Sequence, residues 1–435
     1  MTSDDTLVFV GTSDISGIVR GKSFPESEWE KRLISGVGWT PTNVQITCFD
    51  TISESPFGSL GDLALIPDAA THFKLDGKTP LSFMLADIRT LQGDPWDFCT
   101  RSLAKRALDN LRDATGATVL SAFEHEFQIT DQPVRKGDSY GFKGFRDGQA
   151  WAEAFLAAMR QTSCVPDTFM KEFGPSQYEI TNKPATGITS PDNAVILRLL
   201  ASDVLRGHGV TPSFSPILDP ESVGNGVHIH FSFVDDAGAP LTWDAENEFG
   251  MSSLTRHFIG GILDHLDQII ALLAPSDISY LRLTPHRWSA AFNNLGYRDR
   301  EASVRICPTS AQNPDAIARQ FNFEVRAVDA AASPHLAFAA IVFAGLQGIK
   351  DKTEPTPPTQ EDLSLLDPDT LASRGFKRLP QTLGDALDRL DGSTPVRNWF
   401  GNAFVDLYIA HKRGEMAQLE GLDQQQKCDR YKDVY

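Results

Sequence analysis

Four short stretches alternate apolar residues with carboxylates, histidines or an arginine. They are Phe123-Glu124-His125-Glu126-Phe127, Gln177-Tyr178-Glu179-Ile180, Val227-His228-Ile229-His230-Phe231 and Phe323-Glu324-Val325-Arg326-Ala327. A strand sends successive side chains to opposite faces, so each stretch predicts a strand with one ionisable face and one apolar face. One such strand is an ordinary surface feature. Four of them, rich in acids and histidine, predict a wall around a polar, metal-holding cavity.

The rest of the pattern is more conventional. Residues 7–97 read as strands broken by Gly and Pro turns, with Leu7-Val8-Phe9-Val10 and Val44-Gln45-Ile46-Thr47 as candidates. Leu103, Ala107, Leu108 and Leu111 recur at helical spacing, which predicts a helix over 100–114 with a stop at Gly116. A domain boundary is placed just before it, near Pro95, giving domains 1–97 and 98–435. Further helices are predicted over 152–160, 191–207, 252–273, 379–390 and 396–412. The apolar run 336–346 follows Pro334 and reads as a buried helix, too short to span a bilayer. Residues 355–359 read as a loop, as does much of 284–320, where periodicity is weak.

Composition narrows the function classes. A chain of 435 residues exceeds one ordinary core, and 41% hydrophobic with 22% charged residues is a usual globular balance. The net charge of −17 argues against general binding to nucleic acid or an anionic membrane. Five widely spaced cysteines without a CxxC speak against a disulfide framework or a thiolate zinc site. The acidic start Met1-Thr2-Ser3-Asp4-Asp5 lacks a signal-peptide pattern, so the expected setting is cytoplasmic.

The polar faces set the chemistry. Glu124 and Glu126 share a face about 7 Å apart along a strand. Glu179 lies on the second strand with Glu172 upstream, across a Gly174-Pro175 turn. His228 and His230 share a third face, Glu324 and Arg326 a fourth. Hard oxygen ligands with a minority of nitrogen suit Mg²⁺ or Mn²⁺ better than zinc or copper. Five carboxylates in one cavity would repel strongly without cations between them, so more than one divalent ion is expected. Arg282, Arg298, Arg300, Arg305 and Arg326 cluster against the acidic background and offer planar forks for carboxylate and phosphate. Metals with arginines suggest phosphoryl transfer. No GxxxxGK[ST] loop is present, and Gly224-Asn225-Gly226 is not followed by the rest of a dinucleotide fingerprint.

In order along the chain, these motifs resemble the glutamine synthetase family. The carriers are Arg20-Gly21-Lys22, Leu65-Ile66-Pro67-Asp68, Glu124-His125-Glu126, Glu172 with Gln177-Tyr178-Glu179-Ile180, Gly224-Asn225-Gly226-Val227-His228-Ile229-His230, Arg300-Glu301-Ala302-Ser303-Val304-Arg305 and Glu324-Val325-Arg326-Ala327-Val328-Asp329. The resemblance implies an α+β chain, with an N-terminal β-grasp domain and a catalytic domain built on an incomplete antiparallel barrel flanked by helices. It implies a homo-oligomer, a double-ringed dodecamer, with active sites between subunits. By the same resemblance, Glu126, Glu172 and Glu179 hold one metal, and Glu124, His228 and Glu324 the other. Arg300, Arg305 and His230 face the ATP phosphates. Arg282, Arg326 and Gly224 bind the amino-acid substrate, and Arg300, Glu324 and Asp50 take part in catalysis. The implied reaction phosphorylates the γ-carboxylate of glutamate with ATP, after which an amine displaces phosphate.

The chain departs from that pattern where the nucleophile binds. Ammonia-using members carry a glutamate six residues after the arginine matching Arg282, and here that position is Trp288. An apolar ring in place of a carboxylate removes an ammonium partner and offers a surface for an alkyl or aryl amine, or for a cation–π contact. The alternative is that the loop finds its glutamate elsewhere, and Glu301 is the nearest downstream. Asp50 is followed by Thr51-Ile52-Ser53 instead of Gly-Ser-Ser, Val223 replaces a common asparagine, and Ser333-Pro334-His335 replaces Asn-Pro-Tyr. Residues 351–403 contain no tyrosine, so adenylylation there is not expected. The leading expectation is a glutamate–amine ligase, with Trp288 in the amine pocket. An ammonia-using glutamine synthetase is the alternative. A non-catalytic relative would lose ligand positions, yet all six carry competent side chains. A metal hydrolase without ATP leaves the arginines unexplained.

Overall fold

The computed structural model describes residues 6–76, 80–133 and 135–435. The acidic stretch at residues 1–5, read above for targeting, lies outside them. Among the described residues the first sheet has strands β1 (Leu7–Ser13), β2 (Val19–Pro25), β3 (Val37–Trp39), β4 (Leu63–Pro67), β5 (Phe73–Leu75) and β6 (Leu81–Thr90). Their order is β2-β1-β6-β4-β3, with β5 also on β6. The central pair β1 and β6 runs parallel while the flanking pairs are antiparallel, and the helix Trp29–Ser35 packs on β4: a β-grasp arrangement. Val8 and Val10 are fully buried on one face of β1, while the consecutive Met84 and Leu85 show that the central β6 is buried on both faces.

The second sheet contains β7 (Thr118–Ile129), β8 (Pro166–Lys171), β9 (Gln177–Asn182), β10 (Ala185–Thr186), β11 (Pro212–Ser213), β12 (Val227–Val234), β13 (Leu295–Tyr297), β14 (Val304–Ile306) and β15 (Phe323–Val325). The order is β13-β14-β15-β12-β7-β9-β8, antiparallel except for β13 with β14. This is the incomplete barrel. All four alternating stretches are strands in it, and they are near neighbours. The apolar faces of β7 and β12 meet the helix Pro334–Asp351, whose Phe338 packs on Phe123 and Phe231 at centroid distances of 6.2 and 5.5 Å, while Tyr178 of β9 meets Trp151 of the helix Phe142–Met159 at 4.9 Å. Phe231 in turn stacks on Phe323 at 5.7 Å. The helix Pro334–Asp351 is buried over most of its length, as its continuous apolar run predicts.

Several expectations need correction. Residues 44–47 do not form a strand: Pro41 starts a 3₁₀ turn over Pro41–Gln45, and only Ile46 makes an isolated bridge, to Ile52. Proline's fixed φ suits the first position of such a turn. The helix expected over 396–412 is two helices, Thr394–Phe400 and Asn402–Ala417, split at Gly401 with φ +89°. The 284–320 region is not loop throughout, since it holds β13, β14 and the helix Pro314–Gln320. The helix predicted over 100–114 is Thr100–Thr115, closed by Gly116 in the left-handed conformation. No helix among the described residues is long and apolar enough to cross a membrane.

Candidate active site

The register of the second sheet turns the four polar faces into one wall. Glu126 lies opposite Glu179 across β7 and β9, His228 opposite Glu124 across β12 and β7, and His230 opposite Glu324 across β12 and β15. Arg305 on β14 is opposite Glu324. Directly paired residues on one face have Cβ atoms about 5 Å apart, so each rung is forced into contact. A slip of one residue in any strand would turn its ionisable set into the apolar core.

The rungs differ in charge. His228 Nδ1 is 3.3 Å from Glu124 Oε2, and His230 Nε2 is 3.1 Å from Glu124 Oε1 and 2.9 Å from Glu324 Oε2. Arg305 Nε donates to Glu324 Oε1 at 2.6 Å, and Arg326 Nη1 contacts the same oxygen. Burial pushes the Glu324 and Glu124 carboxyls up, but the neighbouring histidines and, for Glu324, Arg326 more than reverse this, and both stay well below the usual range. Burial lowers His228 to about 4, with Arg326 adding to the effect. On the other rung burial and mutual repulsion outweigh the groups that lower the acids. Burial raises Glu126 to about 7, and Glu172 adds to it despite the Gly226 N–H that donates to Glu126 at 2.7 Å. Glu179 is pushed to about 9 by burial, then by Glu124, Glu126 and Glu172.

These residues fit divalent cations on two grounds. The neighbouring carboxylates, Glu172 among them, help to raise Glu126 and Glu179, and a bound cation reverses that. His230 Nε2 and Glu324 Oε2 are buried and close, yet neither meets hydrogen-bond geometry with any partner. Buried polar atoms left without a hydrogen-bond partner are groups that a bound ion can satisfy. Ligand atoms of Glu124, Glu179 and His228 lie within 4.8 Å of one another, as do those of His230, Cys307 and Glu324. Glu179 thus clusters with the ligands expected for the other ion, and Cys307 joins a group in which it was not foreseen. Glu172 stands at the edge, where its Oε2 accepts from Tyr140 Oη and Phe173 N, both at 2.9 Å.

The substrate-facing residues are placed unevenly. Arg282 is buried behind the Gly224–Gly226 turn and donates to Ser289 Oγ at 3.0 Å and Val328 O at 2.8 Å, while its Nε has no partner. A Cβ on Gly224 would lie 2.4 Å from Pro216 O and 2.7 Å from Arg282 Cγ, so only glycine fits there. Arg326 donates through Nε to the Arg300 carbonyl at 3.1 Å and through Nη2 to the Trp288 carbonyl at 3.2 Å. The Arg300 side chain itself is exposed. Trp288, 48% exposed, meets Phe173 at a centroid distance of 5.2 Å. Glu301 does not stand free as a replacement carboxylate: its oxygens accept from the backbone N–H of His286 at 3.0 Å and of Trp288 at 3.2 Å. Asp50 is not brought to the wall. Its side chain is 85% exposed, on the first domain, 3.3 Å from Arg20.

Sequence reasoning missed Tyr140, Gln177, Asn225, Cys307 and Asn322. Gln177 Nε2 reaches Gly224 O at 2.9 Å and Asn225 Oδ1 at 3.0 Å, which locks the glycine turn to β9. Asn322 Oδ1 lies 2.8 Å from His230 Nδ1 and Cys307 Sγ 3.7 Å from it. Gln177 and Asn225 sit inside the quoted motifs, so a signal existed for them. Tyr140 and Cys307 fall outside the alternating stretches and carried none.

A paired-carboxylate wall, buried arginines and a β-grasp partner domain define an ATP-dependent carbon–nitrogen ligase, and the chain belongs to the glutamine synthetase family. The glutamine synthetase N-terminal domain matches residues 2–96 and the glutamine synthetase catalytic domain residues 97–431. Gamma-glutamylpolyamine synthetase GlnA3 of Streptomyces coelicolor is 31% identical over 94% of this chain and 89% of its own length. Glutamine synthetase of Pyrococcus woesei is 28% identical over 96% of this chain and 91% of its own. A solved structure described as a novel glutamine synthase homolog superposes with a TM-score of 0.91 at 36% identity over 100% of both chains.

Proposed function

We propose that this chain joins glutamate to an organic amine, forming a γ-glutamylamide through a γ-glutamyl phosphate. The observation that carries the reading is the loop after Arg282. It presents Trp288 beside Phe173, while Glu301, the nearest glutamate downstream, is occupied by the loop's own backbone. A cleft of about 650 Å³, bounded by Phe173, Val223 and the charged Arg135, Asp138, Glu221 and Arg287 among others, opens beside Phe173 and gives room for an amine that carries polar groups along its chain. Ammonium needs a carboxylate or several acceptors, whereas an alkyl or aryl amine gains from apolar burial and a cation–π contact.

The γ-carboxylate of glutamate attacks the terminal phosphorus of ATP and ADP departs. The amine nitrogen then attacks the acyl carbon, phosphate leaves and the nitrogen gives up a proton. Glu126, Glu172 and Glu179, and Glu124, His228 and Glu324, would hold Mg²⁺ or Mn²⁺, which would supply charge neutralisation for phosphoryl transfer. Arg300, Arg305 and protonated His230 add positive charge on the phosphate side. Arg282, Arg326 and Gly224 bind the glutamate carboxylate and backbone. Trp288 and Phe173 pack on the amine's substituent and keep water from the acyl phosphate.

Asp50 completes the site from an adjacent copy of the chain in a double-ringed assembly. Its exposed carboxylate, remote from the wall of its own chain, supports that placement.

Phosphate release is to be measured with ATP, glutamate and, in turn, ammonium, methylamine, ethanolamine, putrescine and an aromatic amine, with product masses as confirmation. An organic amine is expected to exceed ammonium in kcat/KM. Preference for ammonium would sink the reading and return the chain to glutamine synthesis.

A further inference from the structure

We infer that Glu301 is a positioning residue that holds Trp288 in the amine pocket, a role that rests on the organic-amine reading above. His286 and Trp288 both adopt left-handed backbone, at φ +63° and +53°. Neither is glycine, and such conformations cost about 1–3 kcal/mol each unless the surroundings impose them. Glu301 imposes them. One carboxylate oxygen accepts from His286 N and the other from Trp288 N, so the backbone is bent around the side chain as a small anion nest. The Glu301 backbone is fixed in turn, since its N–H donates to Asp299 Oδ1 at 2.9 Å.

The loop is gripped from two further directions. Arg326 takes the Trp288 carbonyl and the Arg300 carbonyl through different nitrogens, so the same guanidinium bridges the two segments that flank Glu301. His286 Nε2 lies 2.8 Å from Asp362 Oδ2 and 3.2 Å from Ser364 Oγ, which pins the outer turn. The indole is therefore aimed by contacts to both sides of its peptide. Its only ring partner among the described residues is Phe173, and it is half exposed, so apolar burial does not fix it.

The test uses the full chain with Glu301→Gln, Glu301→Ala, Trp288→Ala and the Trp288→Ala/Glu301→Ala double variant. The amine KM of Glu301→Ala is expected to rise about tenfold, the worth of one hydrogen bond to a charged group. ATP and glutamate KM should stay within error, and γ-glutamyl hydroxamate formation from hydroxylamine, a nucleophile without a carbon chain, should persist. Glu301→Gln, which keeps one acceptor oxygen, should fall between the wild type and Glu301→Ala. In the Trp288→Ala background, removal of Glu301 should add nothing to the amine KM. Equal losses in all three KM values and in hydroxamate formation mean a general structural defect and overturn the inference. So does a Glu301→Ala enzyme with unchanged amine KM while the wild type still prefers an organic amine, a result that leaves the functional reading intact. Wild-type preference for ammonium overturns both.

Discussion

At the level of single residues the site is unbalanced in charge, and that has a measurable consequence. Glu179 is raised from an ordinary value of 4.5 to about 9, first by burial and then by Glu124, Glu126 and Glu172. A carboxyl with a raised value in the fold stabilises the cation-free chain below pH 4.5 and loses that contribution as pH rises through about 9. At pH 7 it is protonated, while a divalent ion takes only the carboxylate. Binding of Mg²⁺ or Mn²⁺ should therefore expel between one and two protons per site, about one from Glu179 and about half of one from Glu126, and apparent affinity should climb from pH 7 toward pH 9. Calorimetric titration in two buffers of different ionisation enthalpy reads the proton directly, and Glu179→Gln should abolish most of the buffer dependence. Equal heats in both buffers for the unaltered chain would count against the ion site. The alternation of acids with apolar residues made Glu124, Glu126, Glu179, His228 and Glu324 visible in the sequence. It could not show that Glu301 is spent on backbone N–H groups, because that depends on a loop whose φ angles no periodicity encodes.

At the level of elements, a buried ion network ties the first domain to the helices of the second. Arg101, on the helix Thr100–Thr115, is 1% exposed and reaches Asp192 twice at 2.8 Å, Asp87 at 2.9 Å and Asp68 at 2.7 Å. Asp68 and Asp87 belong to the first domain, while Asp192 lies on the helix Thr189–Gly207, so one guanidinium staples the two domains. His335, which stands in the unusual Ser-Pro-His segment, adds Nε2 at 2.7 Å from Asp192 Oδ1. Removing one partner of a buried network strands the others, so Arg101→Ala should cost about 3–5 kcal/mol in urea unfolding. A loss below about 1 kcal/mol, the worth of a surface pair, would show that the carboxylates are satisfied otherwise. The acid response follows from Asp192. Burial raises its carboxyl from 3.8, but Arg101 and His335 reverse that and hold it at about 2. The stabilisation is complete above pH 3.8 and is lost as pH falls through about 2. The elements themselves were mostly legible, because strand alternation and helical spacing survive in a single sequence. The failures occurred where one residue overrode a pattern: Pro41 turned an apparent strand into a 3₁₀ turn, and Gly401 cut an apparent helix in two. The short strands β13 and β14 escaped notice because three residues are too few to display a period.

At the level of the whole molecule, one chain does not assemble every residue assigned to catalysis. Glu124, Glu126, Glu179, His228 and Glu324 share one face, whereas Asp50 lies on the first domain, paired with Arg20 and open to solvent. Asp50 also has φ +56°, a strained setting for a residue without a local task. If each site joins the wall of one copy to Asp50 of the next, lesions in the two places complement one another. Asp50→Asn and Glu324→Gln should each be inactive alone. Co-expressed in equal amounts they should recover about a quarter of wild-type phosphate release, because random closed assembly pairs an intact wall with an intact Asp50 at one interface in four. An Asp50 that served the wall of its own chain would leave every site with one lesion, and the mixture would stay inactive. Light scattering on the same samples separates a failure to complement from a failure to assemble, since a chain that remains monomeric has no interface at which the two halves can meet.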